Sequence, residues 1–504
     1  MNRFEDVDAF LFDVGGTLVT EAPPGTPVTE LRAELRPGAI ETLRGLAEHH
    51  RIAAVTNTSV MREGDVRAML EPVGLDGLLE VVVTSVDAGA AKPDPAPLNE
   101  ALRRLGVDPG RSVYVGDAAD DQRAATAAGM RFVATDRGIA DAVERFEHAR
   151  SGAFADARTR VLPLDEEAAA AARAHQDRLT KPAKSLGRLE ELGVQMAAIA
   201  GQSPPPLPEP AAVAVFAGDH GVVESGVTPW PQEVTAQMVA NFAGGGAAIN
   251  VIARQVGATV HIVDVGVASD VSALDGVIHR KVRPGTADLS RGPAMTIAEA
   301  CAALDVGASV ALELVEQGNG LLVTGDMGIG NTTPSAALIA SLTGRSGKSV
   351  TGRGTGIDDE MLARKAAIVE AAARRTSGWL DPVSVLSEVG GLEIAALAGF
   401  IVGGVGAGVP VIVDGVITGA ALVVASAMVP GVAARCIAGH RSTEPGATAV
   451  LEFLNLMPVL DFALRLGEGT GGCLAIPAVQ AAARVLRDMA TFDQAAVSER
   501  GSDA

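Results

Sequence analysis

The stretch VTGDMGIGNTTPSAAL (323–338) decides the fold of the larger part of the chain. An apolar segment leads into a glycine-rich loop, and Thr and Pro then open an apolar helical segment. A strand that runs through glycines into a helix is the repeating unit of a doubly wound parallel sheet. The same layout places backbone N–H groups and hydroxyls at a helix N-terminus, which suits a phosphate group.

The rest of the chain repeats this alternation of apolar strands and helices. Of its 504 residues, 48% are hydrophobic and 58 are glycine, which favours tightly packed α/β layers with many turns. We therefore predict two doubly wound, Rossmann-like domains, at 1–155 and 156–504, the second with a small accessory helical subdomain.

Charge and patterning exclude several classes of protein. The net charge of −20 repels nucleic-acid backbones, so we expect no nucleic-acid partner. Two apolar stretches, 396–413 and 415–434, are separated only by Asp414, which predicts buried elements rather than two membrane spans. Three scattered cysteines and an N-terminus with acids before its short apolar run predict a cytoplasmic protein.

Polar residues follow predicted strands at four places in the first domain. Asp13 follows the strand of DAFLFDVGG, Thr56 follows that of AAVTNTS, and SVYVGDAADD carries Asp117 and Asp121. Lys92 lies between them in AKPDP. Open α/β sheets place their sites at such strand ends. An aspartate nucleophile, acids that hold Mg²⁺ and groups that neutralise phosphoryl oxygens form a phosphotransfer site.

This set resembles the haloacid-dehalogenase superfamily of phosphotransferases, over roughly residues 1–150. The resemblance implies Asp13 as nucleophile, with Asp13, Asp117 and Asp121 as Mg²⁺ ligands and Thr56 and Lys92 at the phosphoryl group. The family's phosphatases carry a general acid two residues after the nucleophile, and here that position is Gly15. The short spacings leave no room for a cap domain. Phosphatase activity and a vestigial, structural role therefore both remain open.

The second domain carries a dense series of glycine motifs. In order along residues 165–493 they are TKPAKSLGRLE, GDHGV, GGAAIN, MGIGNTTP, TGRGTGIDD, HRSTEPG and RLGEGTG. Together they resemble nicotinate-nucleotide:dimethylbenzimidazole phosphoribosyltransferase. The resemblance implies transfer of the phosphoribosyl group of nicotinate mononucleotide to 5,6-dimethylbenzimidazole, which gives α-ribazole 5′-phosphate and nicotinate. It implies no cofactor, and it assigns to Glu468 the removal of the proton of the benzimidazole.

The same resemblance assigns the substrate-binding positions. Asp326 stands where the family usually has glutamate, so its reach is shorter by one methylene. His220 and His440 are expected as hydrogen-bonding residues, because no pair of histidines has the spacing of metal ligands. The expected substrate-binding residues are Asp326, Gly328, Gly330, Asn331, Thr332, Lys365, Ser442, Leu466, Gln237 and Met238.

Two enzymes on one chain often share a pathway, and the product of the second domain is a phosphomonoester. One hypothesis is that the first domain removes the phosphate of α-ribazole 5′-phosphate with Mg²⁺. The alternative is a non-catalytic module that mediates assembly or covers the transferase site. The resemblance to the transferase family also implies a homodimer.

Overall fold

The computed structural model describes residues 4–23 and 26–498. It divides into two compact units. The smaller contains the chain up to Arg150 together with Gly378–Ser384, and the larger contains Ser151–Ser377 and the chain from Val385.

The smaller unit is built on a five-stranded parallel sheet in the order β3-β2-β1-β4-β5. Its strands are β1 (Ala9–Phe12), β2 (Arg51–Thr56), β3 (Val81–Thr84), β4 (Ser112–Gly116) and β5 (Arg131–Ala134). Its helices are α1 (Ala39–Ala47), α2 (Glu63–Leu70), α3 (Ser85–Ala88), α4 (Ala96–Leu105), α5 (Ala119–Ala127) and α6 (Ile139–His148). The predicted doubly wound fold is confirmed here.

Alternate residues of β1 enter two different cores. Phe10 and Phe12 pack into one cluster, whereas Ala9 and Leu11 pack into the other. Successive side chains of a strand point to opposite faces, so a fully apolar strand requires a helical layer on each side. The chain winds outward from β1 through β2 to β3, then crosses back to β4 and winds the other way to β5, which places a topological switch point between β1 and β4.

A short segment from far along the chain completes the smaller unit. The carboxylate of Asp136 accepts hydrogen bonds from the backbone N–H groups of Leu380 and Asp381, at 3.0 and 2.8 Å. Buried Arg145 pairs with Asp381 at 3.0 Å and donates to the hydroxyl of Ser384 at 2.7 Å. These contacts assign Gly378–Ser384 to this unit, although the sequence places it within the second predicted domain.

The larger unit is built on a six-stranded parallel sheet in the order β11-β10-β9-β6-β7-β8. Its strands are β6 (Ala211–Gly218), β7 (Thr259–Gly266), β8 (Val277–His279), β9 (Leu321–Met327), β10 (Val411–Val413) and β11 (Cys436–Ala438). The chain winds outward from β6 through β7 to β8, then crosses back to β9 and winds outward the other way. The switch point therefore lies between β6 and β9.

The helices of the larger unit lie before, between and after these strands. In chain order they are α7 (Ala153–Thr159), α8 (Glu166–Arg178), α9 (Arg188–Ala200), α10 (Val234–Ala243), α11 (Ala248–Val256), α12 (Ile297–Glu316), α13 (Thr332–Thr343), α14 (Gly347–Val350), α15 (Asp359–Arg375), α16 (Pro382–Val389), α17 (Leu392–Gly406), α18 (Val416–Met428), α19 (Pro445–Phe453), α20 (Thr470–Asp488) and α21 (Phe492–Ala495).

Small residues bring α12 and α17 into backbone contact. A Cβ on Gly307 of α12 would lie 1.7 Å from the carbonyl oxygen of Ala396 on α17. The two long apolar stretches on either side of Asp414 form α17, β10 and α18 as buried elements. Within the described ranges, no helix combines the length and hydropathy that crossing a bilayer needs.

Three helices share a small buried cluster in the larger unit, formed by Ala172 of α8, Ala197 of α9 and Leu486 of α20. Helices α9 and α20 also pack against the sheet in the main core. Helix α7, which crosses the predicted boundary at 155, lies in the larger unit, where the backbone N–H of Phe154 donates to Asp305 at 2.9 Å.

Candidate functional sites

The switch point of the larger unit gathers acidic residues at the carboxyl ends of its strands. Asp219 follows β6, Asp326 lies near the end of β9, and Asp414 follows β10. All three are buried. Parallel strands that end at one edge of a sheet bring the residues after them together, and ligands bind in the crevice there.

A cavity of about 400 Å³ opens at this edge. That volume suits a small ligand. Its lining combines apolar side chains with three basic and three acidic ones. The residues are Val227, Thr228, Trp230, Val234, Met238, Asp326, Met327, Gly328, Ile329, Gly330, Asn331, Thr332, Arg353, Gly354, Thr355, Ile357, Lys365, Gly415, Val416, Ile417, His440, Ser442, Glu444, Arg465, Leu466, Gly467 and Glu468.

Glu468 enters the cavity from a strained loop. Its φ of +63° is left-handed, and it lies between Gly467 and Gly469, which are also left-handed at +83° and +87°. A non-glycine residue in this region costs on the order of 1–3 kcal/mol, which the surrounding structure must hold in place. A Cβ on Gly325 of β9 would lie 2.7 Å from the carbonyl oxygen of Glu468, so the loop packs directly on the sheet.

The carboxylate of Glu468 has the properties of a proton acceptor. Burial raises its pKa, the charge of Asp414 adds to the rise, and a hydrogen bond from the backbone N–H of Ile249 opposes it. Its Oε2 atom is buried and has no hydrogen-bond partner within the described part of the chain. A carboxylate with a moderately raised pKa and a free oxygen can take a proton from a bound ligand.

Asp326 lies close to this loop. A Cβ on Gly467 would lie 3.2 Å from Oδ2 of Asp326. That Oδ2 also accepts a hydrogen bond at 3.0 Å from the side-chain amide of Asn331. Burial raises the pKa of Asp326 well above its usual value, and the carboxylates of Asp414 and Glu393 raise it further. A cationic group bound here would favour the charged form of these carboxylates.

The opposite wall is built on the start of α13 and on Lys365 of α15. The ammonium of Lys365 donates to Oγ1 of Thr332 at 2.7 Å and to the carbonyl of Gly352 at 3.2 Å. Lys365 is 1% exposed, and burial lowers its pKa to about 8 against the opposing effect of Glu444. A buried cation beside a helix N-terminus is suited to an anion such as phosphate.

Two residues from other motifs hold the loop that contains Gly354 over this wall. Glu444 accepts a hydrogen bond from the backbone N–H of Gly354 at 2.8 Å, and Arg465 donates to the carbonyl of Gly354 at 2.9 Å. Sequence reasoning assigned no role to Glu444, Arg465 or Arg353, although all three line the cavity. Glu444 and Arg465 lie within the HRSTEPG and RLGEGTG motifs, and this position could have identified them as residues of the site.

The two histidines singled out from the sequence each face a buried acid. Nε2 of His220 lies 2.9 Å from Oε1 of Glu393. Burial lowers the pKa of His220, but the charge and hydrogen bond of Glu393 outweigh it, so the net pKa is raised. Nδ1 of His440 lies 3.4 Å from Asp414. Of these two, His440 lines the cavity, whereas His220 lies behind the loop that contains Gly328.

The smaller unit has its own cluster of charged side chains at the switch point. The ammonium of buried Lys92 lies 2.6 Å from Oδ1 of Asp13 and 2.6 Å from Oδ1 of Asp121. It also donates to the hydroxyl of Tyr114 at 2.7 Å. Thr56 is buried at the end of β2. The structure thus brings the predicted residues Asp13, Lys92 and Asp121 together at one sheet edge.

Three carboxylates in this cluster face one another. Carboxylate oxygens of Asp13, Asp117 and Asp121 all lie within 4.8 Å, and this is the only such group of potential metal ligands among the described residues. Burial raises the pKa of Asp13 to about 7, opposed by Lys92 and reinforced by Asp121. Burial and Asp121 also raise the pKa of Asp117. Oxygen donors with excess negative charge suit a hard divalent cation such as Mg²⁺.

Comparison with known proteins decides the family of the larger unit. Residues 161–497 match a family described as phosphoribosyltransferase. The chain belongs to the phosphoribosyltransferase family. A nicotinate-nucleotide–dimethylbenzimidazole phosphoribosyltransferase of Salinispora tropica is 54% identical over 67% of this chain and 97% of its own length.

Other relatives and a solved structure agree with this family. The enzyme of the same name from Geobacter sulfurreducens is 50% identical over 68% of this chain and 98% of its own length. The crystal structure of CobT from Thermus thermophilus is 48% identical and aligns with a TM-score of 0.65. It covers 66% of this chain and is itself covered completely.

A second family matches the smaller unit. Residues 28–135 match the haloacid dehalogenase-like hydrolases. This range includes Thr56, Lys92, Asp117 and Asp121, whereas Asp13 precedes it. The chain therefore joins a haloacid dehalogenase-like unit to a phosphoribosyltransferase, as the sequence predicted.

The phosphoribosyltransferase cavity contains nearly all the residues predicted for it. Gln237 is different, because it is exposed and does not line the cavity. Val234 and Met238, four residues apart on α10, do line it. Residues of a helix that are four apart share a face, and Gln237 points about 100° away from Met238. The predicted residues that line the cavity are Asp326, Gly328, Gly330, Asn331, Thr332, Lys365, Ser442, Leu466, Met238 and Glu468.

Proposed function

We propose that this chain transfers the phosphoribosyl group of nicotinate mononucleotide to 5,6-dimethylbenzimidazole. The observation that carries the proposal is the position of Glu468, which is buried, strained and left with one unpaired oxygen in the cavity. The named relatives, at about 50% identity over nearly their whole length, supply the substrates.

In the proposed reaction, Lys365 and the start of α13 bind the phosphate of nicotinate mononucleotide. The benzimidazole nitrogen attacks C1′ of the ribose as the bond to nicotinate breaks. Glu468 accepts the proton that the attacking base loses, through Oε2. Attack opposite the leaving nicotinate inverts the anomeric carbon and gives α-ribazole 5′-phosphate. Proton removal by a positioned base typically accelerates such a step by about 10²–10⁴-fold.

The acidic side of the cavity supports this choice of donor substrate. The nicotinate ring of the mononucleotide is a pyridinium cation while it is bonded to ribose. Asp326 lies where such a cation gains from negative charge. We expect the transfer to require no metal ion.

The test is a product assay with purified full-length protein, nicotinate mononucleotide and 5,6-dimethylbenzimidazole in the presence of a metal chelator. Mass spectrometry should detect α-ribazole 5′-phosphate, and NMR of the anomeric proton should assign the α configuration. No product, or a β-linked product, would contradict the proposed displacement.

We propose a second activity for the smaller unit, the Mg²⁺-dependent hydrolysis of a phosphomonoester. The specific observation in its favour is the contact of Lys92 with both Asp13 and Asp121 at 2.6 Å, because it orients a nucleophile and a metal ligand at one point. The hypothesis names α-ribazole 5′-phosphate as substrate, since the larger unit would produce it.

Asp13, Asp117 and Asp121 would hold the Mg²⁺, as their oxygen donors and net negative charge fit that ion. When bound, Mg²⁺ neutralises charge on the phosphoryl oxygens. Asp13 attacks the phosphorus atom as the bond between phosphorus and the alcohol oxygen breaks, the alcohol leaves, and Lys92 and Thr56 stabilise the charge of the transferring group. Water then releases inorganic phosphate and restores the carboxylate of Asp13.

Substitution of Asp13 separates this enzyme from the alternative assembly or lid module. The full-length Asp13→Asn protein should lose Mg²⁺-dependent phosphate release while its transferase activity stays unchanged. A module without catalytic function predicts no phosphate release in either protein.

The proposed biological unit is a homodimer in the cytoplasm. All three cysteines are buried thiols, which supports a reducing compartment. Light scattering of the purified protein measures the oligomeric state, and a monomer at working concentration would exclude the dimer.

A further inference from the structure

The haloacid dehalogenase-like unit has no carboxylate at position 15, but another carboxylate side chain lies beside that space. A Cβ on Gly15 would lie 3.6 Å from Cγ of Glu21, in ordinary van der Waals contact. The side chain of Glu21 therefore occupies the region into which a side chain at residue 15 would extend. We propose that Glu21 is the general acid and base of this site, an inference that rests on the proposed phosphomonoester hydrolysis.

The turn after β1 explains how the two positions meet. The backbone N–H groups of Leu18 and Val19 both donate to the carbonyl of Val14 at 2.9 Å. The N–H of Gly16 donates to the carbonyl of Val19 at 2.8 Å. These bonds fold the chain back on itself, so the segment that leads to Glu21 runs beside the nucleophile loop.

Asp117 fixes this turn against the proposed metal ligands. A Cβ on Gly16 would lie 2.2 Å from Oδ2 of Asp117, so only glycine fits between that carboxylate and the turn. Thr17 donates to Oδ1 of Asp117 at 3.3 Å. The charge of Glu21 is among those that raise the pKa of Asp117, after burial and Asp121. Glu21 is thus near the reacting groups as well as near Gly15.

The reaction needs such a group because the leaving group is an alkoxide. In the first step the carboxylate of Asp13 forms a bond to phosphorus, and the bond between phosphorus and the alcohol oxygen breaks. Protonated Glu21 gives its proton to that oxygen. In the second step water attacks the phosphorus of the aspartyl phosphate, and Glu21 takes the proton of the water. Inorganic phosphate leaves, and both carboxyl groups return to their starting states.

The exposure of Glu21 is compatible with this role. Its side chain is exposed, whereas Asp13 and Lys92 are buried. In an in-line displacement the leaving alcohol oxygen lies on the side of the phosphorus away from buried Asp13, so its acid should stand at the open side. A site without a cap can draw that acid from its own nucleophile loop.

The decisive experiment compares two leaving groups in the full-length protein. Phosphate release is measured with Mg²⁺ from α-ribazole 5′-phosphate, a primary alkyl ester, and from p-nitrophenyl phosphate, whose leaving group needs little protonation. Glu21→Gln should lower kcat/KM, which reports the step in which the alcohol leaves, by about 10²–10³-fold on the alkyl ester and by less than about 10-fold on the aryl ester. Glu48→Gln, which removes an exposed glutamate from the end of α1, is the matched control and should change neither rate.

A rescue variant excludes a merely structural effect. Gly15 does not have a left-handed φ, and a Cβ there would meet only Cγ of Glu21, so Gly15→Asp fits once that side chain is shortened. The double variant Gly15→Asp with Glu21→Ala should recover kcat/KM on the alkyl ester to within about 10-fold of the original, since general acid catalysis returns from position 15.

The outcomes separate the two claims. A selective loss with rescue supports Glu21 as acid and base. An unchanged kcat/KM in Glu21→Gln, or an equal loss of kcat/KM on both esters, overturns that role while the hydrolase stands. Phosphate release no greater than that of Asp13→Asn from either ester overturns the hydrolase itself, and the role of Glu21 with it.

Discussion

Replacement of Lys365 by methionine tests the phosphate wall of the transferase cavity. Methionine keeps the length and much of the volume of the side chain but removes the charge. The pKa of Lys365 is lowered from 10.5 to about 8 by burial, which corresponds to a cost of about 3 kcal/mol for holding the charge without a ligand. A phosphate dianion compensates that cost, so affinity depends on this single buried cation.

The expected loss of kcat/KM follows from the burial of the ion pair between Lys365 and the bound phosphate. Removing one partner of a buried, hydrogen-bonded charge pair costs about 2–5 kcal/mol, or about 30- to 4000-fold in kcat/KM for nicotinate mononucleotide. The pH profile of kcat/KM gives an independent measure of the contribution of the Lys365 charge. Above about pH 8 free Lys365 is neutral, so kcat/KM should fall toward a slope of tenfold per pH unit. In Lys365→Met this limb should be absent.

The assay is steady-state kinetics at saturating 5,6-dimethylbenzimidazole between about pH 6.5 and about pH 9.5, with thermal melting as a check of the fold. Lys348→Met removes an exposed lysine from α14 and serves as the control, with kinetics expected to match the original protein. A loss below about tenfold in Lys365→Met, together with an unchanged alkaline limb, would refute the assignment of the phosphate to this wall.

Two further predictions concern the metal cluster and the helix packing. The folded-state pKa of Asp13 is raised to about 7, so without metal its contribution to stability falls as pH rises from about 4 to about 7. Binding of Mg²⁺ should therefore raise Tm more at about pH 8 than at about pH 6. The variant Asp117→Asn should show a smaller rise of Tm with Mg²⁺. Gly307→Ala should lower the free energy of unfolding by about 1–3 kcal/mol in a urea titration, because its Cβ would lie 1.7 Å from the carbonyl of Ala396. Gly292→Ala, with open space around it, should stay within about 0.5 kcal/mol, and an equal effect of both would contradict the packing argument.

Local patterns were enough to predict the elements that carry the site. The stretch 323–338 forms β9, a glycine loop and α13, and residues 8–19 form β1 followed by the nucleophile turn. Both depend on apolar runs that end in glycine, a signal that lies within a dozen neighbouring residues. That Glu468 and Lys365 serve one site was implied by the resemblance to the phosphoribosyltransferase family, and both line the cavity.

Other features depend on contacts that no local pattern encodes. The assignment of Gly378–Ser384 to the smaller unit rests on Asp136 and Arg145, more than two hundred positions earlier in the chain. The approach of Glu21 to Gly15 depends on the shape of one turn. Gln237 and Met238 were both expected in the benzimidazole pocket, but adjacent positions of a helix point about 100° apart, and of the two only Met238 lines the cavity.

The most direct test of the central claim is the turnover of Glu468→Gln with nicotinate mononucleotide and 5,6-dimethylbenzimidazole. The amide keeps the shape of the side chain but cannot accept the proton. We expect kcat to fall by about 10²–10⁴-fold, while calorimetry shows nicotinate mononucleotide bound as tightly as in the original protein. A kcat within tenfold of the original, with binding intact, would contradict the role of Glu468 as the base and with it the proposed mechanism.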